Sequence, residues 1–192
     1  VMRDGIQRVL TFVTSAFSSY SGCRQYREDI HNAQLALGAG PPHIDKIRVF
    51  FNHPLFFTAA RERIQTALSN FSNDPYSRRT CHVVFTAHSL PERILAEGDP
   101  YKDQLLETSR LVAERAGIET WSFAFQSASP TGEPWLGPDI LEELERLHGE
   151  GVHKILVAPV GFVSDHLEIL WDIDVEAREK AAELGLELDR IE

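Results

Sequence analysis

Lys154 to Trp171, KILVAPVGFVSDHLEILW, decides the fold, because its pattern changes from strand to helix within one short stretch. KILVAP is apolar on every side, too short for a stable helix, and closed by Pro159. It reads as a strand covered on both faces of a sheet. VGFVSDH is a connection, and from His166 to Leu184 the apolar residues recur at helical spacing in a long acidic helix. Outward from there the same alternation repeats. Arg8 to Thr14 is a β-type run, and a helix from Arg24 to Leu37 is stopped by Gly38 to Pro42 (GAGPP). Ile47 to Phe51 reads as the next strand, Pro54 opens a helix through Leu68, and Asn70 to Arg79 reads as a polar loop. His82 to Ala87 is a buried strand, Tyr101 to Ala116 a helix, Thr120 to Gln126 a strand, and Asp139 to His148 a helix. A further strand-like run begins in LGLELDRIE. Strands alternating with helices of this length imply βαβ units, hence an α/β fold with a Rossmann-like parallel sheet and helices on both faces.

The charge balance narrows the partners. Nineteen Lys and Arg stand against 29 Asp and Glu, for a formal charge of -10. That argues against nucleic acid, which is recognised through a basic footprint. No run reaches the ~18 apolar residues that mark a membrane-spanning helix, and Arg3, Asp4 and Arg8 interrupt the start where a signal peptide would build its apolar stretch. The two cysteines, Cys23 and Cys81, make no disulfide framework, so a reducing cytoplasm is the simplest setting. Val1 at one end and a strand-like run at the other read as the ends of a piece cut from a longer protein.

In parallel α/β sheets, ligands bind beyond the carboxyl ends of the strands. The unusual residues fall there. His88 follows FTA, the Ser127 to Trp135 loop follows FAF, and GFVSDH follows ILVAP. His88 precedes a Ser-Leu-Pro turn whose proline prevents the sheet from simply continuing, and a neutral imidazole there suits a divalent metal or a proton. His82 and His153 read as structural histidines. Glu168, Asp172 and Glu176, spaced i, i+4, i+8, stack on one helical face as an acidic ladder. An acidic solvated face is the plainer reading of such spacing. Against it stand the ladder's start at the loop-to-helix junction and its apolar neighbours Leu167, Ile169, Leu170 and Trp171. A π-bulge in this helix would realign the ladder, and such bulges favour functional sites. Trp135, between Pro134 and Leu136 in a loop of turn formers, offers a flat indole to a flat ligand, or plugs the loop onto the sheet.

FTAHSLPE at Phe85, GDPY at Gly98, QS followed by EPWLGPD, and PVGFVSDHLEILWDID from Pro159 together resemble the ferrochelatases, in order and at matching spacing. The likeness runs from about Val9 to Glu187, and PVGFVSDHLE is its most specific block. It implies a chelatase-like domain, one of two similar domains of a full protein. Residues 1–192 then form the C-terminal half, with residues 1–14 belonging partly to the inter-domain crossover. It implies catalytic and metal-handling roles for His88 and Glu168, a pair the family places on opposite sides of the porphyrin. It extends the metal or proton route along Asp172 and Glu176. Porphyrin contacts fall to Trp135, Ser127, Phe162, Asp165 and His166, the last two in the loop supporting Glu168. The family's N-terminal pocket tyrosine is outside this chain, and the SASPTGEPW loop departs from many relatives.

The resemblance implies insertion of Fe(II), a substrate here, into coproporphyrin III or protoporphyrin IX with loss of two pyrrole protons, in haem biosynthesis. The work requires a base, a metal path and a pocket that bends the ring toward its transition state. SYSGCRQYRED, Ser19 to Asp29, resembles the actinobacterial type, in which a cysteine in this context helps to hold a 2Fe–2S cluster. It makes Cys23 one ligand of a cluster that this chain does not complete, since four ligands are needed. A haem-accepting protein is the implied macromolecular partner. Two other readings stand beside this one: a non-enzymatic porphyrin or haem carrier, and a chelatase inserting cobalt or nickel into another tetrapyrrole.

Overall fold

A computed structural model describes residues 4–38, 40–71 and 80–192. Its main sheet is parallel, in the order β4-β3-β5-β6, built from β3 (His82–His88), β4 (Trp121–Gln126), β5 (Lys154–Ala158) and β6 (Glu187–Arg190). Alternation along these strands assigns each residue to a face. Val83, Phe85 and Leu156 point to one side, where the helices Pro54–Phe71 and Tyr101–Ala116 contribute Phe57, Ile64, Val112 and Ala113. Val84, Ala124, Ile155 and Val157 point to the other, against the helix Ile140–Gly149 and the helical segment 167–184. Both faces are therefore covered, as all-parallel sheets require.

That parity reaches the ends of the strands. Thr86 and His88 continue the face of Val84, and Gln126 continues the face of Ala124, with His88 and Gln126 paired in register. These side chains are thereby directed toward the layer that contains residues 167–184. Because β4 lies to one side of β3 and β5 to the other, the chain reverses its order at the β3–β5 pair, the place where such sheets open a crevice.

Two sequence expectations are corrected. Ile47 to Phe51 is not a strand; the strand is the preceding β2 (His43–Lys46), paired in parallel with β1 (Arg8–Thr11) in a separate two-stranded sheet. The apolar run after it owes its pattern to burial: Phe50 and Phe51 pack on the cluster of Phe17, Tyr101, Leu105 and Phe125, and both their N–H groups donate to the Ala16 carbonyl. The helix begun at Pro54 continues to Phe71, past the expected stop at Leu68. Residues 72–79 of the expected polar loop lie outside the described residues. No helix among the described residues is long and apolar enough to cross a membrane.

The long acidic helix is α-helical over Leu167–Trp171, π-helical over Asp172–Ala177 and α-helical again over Arg178–Leu184. Ile169, Ile173, Ala177 and Ala181 bury its inner stripe, which anchors the whole run on the sheet. The π segment inserts an extra residue per turn beside the site, as the ladder's expected realignment requires.

Candidate active site

Backbone contacts draw the strand-end loops together. The Gly161 N–H donates to the Thr86 carbonyl at 3.0 Å, so the loop after β5 crosses directly over β3. A Cβ at Gly161 would lie 2.3 Å from the Ala87 Cβ and 2.6 Å from its Cα, which explains the glycine in PVGFVSDH. The turn after His88 zips onto the Trp135 loop: Glu92 N–H donates to the Pro134 carbonyl, Leu136 N–H to the Leu90 carbonyl, and the buried Ser89 hydroxyl to the Leu136 carbonyl. An Arg93–Glu133 ion pair closes the outside of this junction. Two separate sequence motifs, HSLPE and EPWLGP, thus form one wall, and the His88 and Trp135 rings lie 6.5 Å apart at 47°.

His88 has its tautomer set by its neighbours. Its Nδ1 contacts the Ser89 carbonyl, which can only accept, so Nδ1 carries the proton in the neutral ring. Nε2 then carries the lone pair and stands 3.5 Å from Glu168 Oε2, so these two acceptors attract each other only with a proton or a metal ion between them. The buried Tyr101 hydroxyl donates to the His88 backbone carbonyl at 3.0 Å; burial pushes its phenol upward, so it stays a donor. Tyr101 belongs to the GDPY block, which gains a role as the support beneath His88.

Glu168 occupies the first turn of its helix, where the N-terminal dipole favours a carboxylate. His166 caps that helix: its Nδ1 accepts the Glu168 N–H at 3.2 Å, and its ring packs edge-on against Phe162 at 4.7 Å. Phe162 and His166, expected as porphyrin contacts, brace each other and the loop. Phe162 also faces a cavity of about 600 Å³ whose lining includes Phe12, Phe50, Phe56 and Ile169 but none of His88, Glu168 or Trp135.

Asp172 is held by two donors, one of them oriented by a third residue. The Thr86 hydroxyl donates to the Gln126 carbonyl oxygen at 3.0 Å, which turns the Gln126 amide so that its Nε2 donates to Asp172 Oδ2 at 3.3 Å. The Ser127 hydroxyl donates to the same oxygen. Ser127 adopts φ 62°, a left-handed conformation sparsely used by residues other than glycine, and such strain gathers at functional sites. Ser127, expected at the porphyrin, thus spends its hydroxyl on the acidic helix. Across the gap, Asp139 caps the helix Ile140–Gly149 through the Leu141 N–H. Burial pushes its carboxyl upward, and the charges of Glu142, Asp172 and Glu176 add to that. The acidic line therefore includes Asp139, from the EPWLGPD block.

Two of the expected site groups meet partners within the chain. His88 and Glu168 meet directly, whereas a flat macrocycle between them needs two contacts of ~3.5 Å each, about 7 Å in all. The half-exposed Glu168 side chain must swing aside before a ring can separate them. Asp165, expected in the loop supporting Glu168, is paired with Arg190 and also lines the cavity beside Phe162. Sequence reasoning missed Thr86, Gln126, Tyr101, Asp139 and Arg190. The first four sit inside quoted motifs, at strand ends or caps, where position alone was a signal; Arg190 carried none. Among the described residues, no three His, Cys, Asp or Glu side chains cluster closely enough to hold a metal ion.

Cys23 is buried in the π turn Tyr20–Arg24, its Sγ 3.5 Å from Lys46 Nζ, beside a hollow lined by Ser18, Arg24, Arg27 and His31. Cys81 lies in the core beneath β3 with Phe85 and Leu156, and burial pushes its thiol up to about 12. An inert core thiol is not a cluster ligand, so these two cysteines do not fit a shared cluster.

A family model described as Ferrochelatase matches residues 1–192. The coproporphyrin III ferrochelatase of Nocardia farcinica is 45% identical over 196 residues, covering 98% of this chain and 55% of the relative. A ferrochelatase of Deinococcus radiodurans is 42% identical over 194 residues, covering 99% of this chain and 60% of the relative. The chain spans about half the length of the curated relatives it matches. Among solved structures, SirB from Bacillus subtilis with Fe3+ superposes with a TM-score of 0.67 over 98% of this chain and 66% of that one. At 14% identity it supports the fold alone.

Proposed function

The chain belongs to the ferrochelatase family, and on that premise we propose that the protein inserts Fe(II) into a porphyrin for haem biosynthesis. The observation that carries this reading is the meeting of His88 Nε2 and Glu168 Oε2 at 3.5 Å, at the head of an acidic helix. Two donors each about 2.1 Å from a metal, at a near-tetrahedral angle, lie about 3.4 Å apart. The pair therefore suits a metal ion in transit, and two protein donors bind it weakly enough to release it.

Two pyrrole protons must leave as the metal enters. His88, with Nδ1–H tied to a carbonyl, offers a single basic nitrogen and is the proposed proton acceptor. Glu168 is its partner across the ring once the carboxylate has swung aside. Asp172, oriented by Gln126 and Ser127, and Glu176 continue the path for metal or protons along the π segment. Trp135 supplies a flat surface beside His88. Binding that favours a bent ring directs the pyrrole nitrogens toward the metal.

Coproporphyrin III is the proposed substrate over protoporphyrin IX, supported by the names of several relatives and by the context of Cys23. Cys23 is proposed as one ligand of a 2Fe–2S cluster, with the remaining ligands outside this chain. The site chemistry uses no step through it. A cytoplasmic setting and a haem-accepting partner protein complete the reading.

Anaerobic incubation of the full-length protein with Fe(II) and each porphyrin tests it, with metallation followed by absorption. Faster conversion of coproporphyrin III is the expected result; no metallation of either would reject the reading. His88→Ala separates enzyme from carrier, because a carrier keeps its function and a chelatase binds porphyrin without metallating it. Faster insertion of cobalt or nickel into another tetrapyrrole would favour the related chelatase. An iron–sulfur absorption spectrum unchanged in Cys23→Ala would remove Cys23 from the cluster.

A further inference from the structure

Arg190 ends β6, outside the crevice, and its side chain is only 10% exposed. An arginine carries five N–H donors, and each one here meets an acceptor. Nε and Nη2 grip the two oxygens of Asp174 at 2.8 and 3.0 Å. Nη1 and Nη2 grip the two oxygens of Asp165 at 3.2 and 2.8 Å. The second Nη1 proton goes to the Ile191 carbonyl at 2.9 Å.

The two carboxylates are placed to matter. Asp165 immediately precedes His166, the residue that caps the site helix. Asp174 lies inside the π segment. Between them in sequence fall His166, Glu168 and Asp172, so one guanidinium fastens the chain on both sides of the site residues. Arg178 adds only looser contacts, 3.6 Å to Asp174 and 3.3 Å to Asp189.

We propose that Arg190 is a positioning residue for metallation: its double fork to Asp165 and Asp174 fixes both ends of the segment that presents His166, Glu168 and Asp172. The proposal rests on the chelatase reading and adds a residue that touches neither porphyrin nor metal. Lysine cannot substitute, because a single ammonium lacks the planar fork that two carboxylates share. Glu168 has to move when a ring enters, and its carboxylate swings productively only from a fixed backbone. A misplacement of about 1 Å in a reacting group costs up to ~100-fold in rate.

The test compares wild type, Arg190→Lys and Arg190→Ala in the full-length protein, measuring thermal unfolding, porphyrin Kd, and kcat and KM for Fe(II). The expected result for Arg190→Lys is a folded protein with porphyrin Kd near wild type and kcat reduced about 10- to 100-fold. Added guanidinium should restore part of the kcat of Arg190→Ala, a response that a general loss of stability does not give. A folded Arg190→Lys with wild-type kcat overturns the proposal, as does a folded Arg190→Ala that guanidinium leaves unchanged. Should both variants fail to fold, Asp165→Asn, which cuts the loop half of the clamp, is judged by the same kcat criterion. Inactive wild type would count against the chelatase reading; active wild type beside an equally active Arg190→Lys counts against the clamp alone.

Discussion

The Nε2 of His88 and the Oε2 of Glu168 stand 3.5 Å apart, one at the carboxyl end of β3 and the other in the first turn of the helix that follows β5. The contact exists because those strands are neighbours and the β5 loop crosses back over β3. His88→Ala and Glu168→Gln should each lower the rate of metallation by about 100-fold or more, the usual weight of a positioned acid or base. Porphyrin binding should survive in both. Stopped-flow metallation with separate binding titrations checks this, and unchanged rates in both variants would remove the pair from the chemistry.

Gly161 sets the height of the loop above β3. Gly161→Ala forces a Cβ into the Ala87 side chain and backbone, so the loop must lift. Overpacking of this kind costs about 1–3 kcal/mol. Chemical denaturation should show that loss together with slower metallation. A variant as stable and as fast as wild type would mean that the loop tolerates the added methyl group.

Asp139 is held unfavourably once charged. Burial, then the nearby acidic charges, raise its folded pKa above the unfolded value of 3.8. The neutral form is thus favoured in the fold, and that contribution is lost as pH rises through the folded pKa. Asparagine caps a helix as well as aspartate and carries no charge. Asp139→Asn should therefore gain stability relative to wild type between about pH 4 and pH 7. Urea midpoints at the two pH values measure this; a gap that narrows with rising pH contradicts it.

Trp135 lies half-buried beside His88, with its indole N–H donating to Thr131 Oγ1 at 2.9 Å. A ring stacked there contributes about 0.5–1.5 kcal/mol. Trp135→Ala should weaken porphyrin binding by about 2- to 12-fold, and Trp135→Phe should restore most of it. Fluorescence titration reads both, and an unchanged Kd in the alanine variant would show that the indole only plugs its loop.

The sequence by itself determined the parallel α/β architecture, because continuous apolar runs and helical patterns report burial directly, as in KILVAP and the Tyr101–Ala116 helix. It also placed His88 and the Trp135 loop at strand ends and Glu168 at a helix start, since such positions are local properties of the pattern. It misread Ile47 to Phe51, where burial against Phe17 and Tyr101 imitates a strand, because an apolar run records burial and not hydrogen bonding. Only the tertiary structure decided who holds whom. Thr86 orients Gln126, whose amide reaches Asp172, and Arg190 reaches Asp165 and Asp174 from β6. Those contacts depend on strand order and on the placement of the π segment, which no local spacing encodes. The acidic ladder was legible as a row of carboxylates; the orientation of Asp172 within it was fixed only by the donors the fold brought to it.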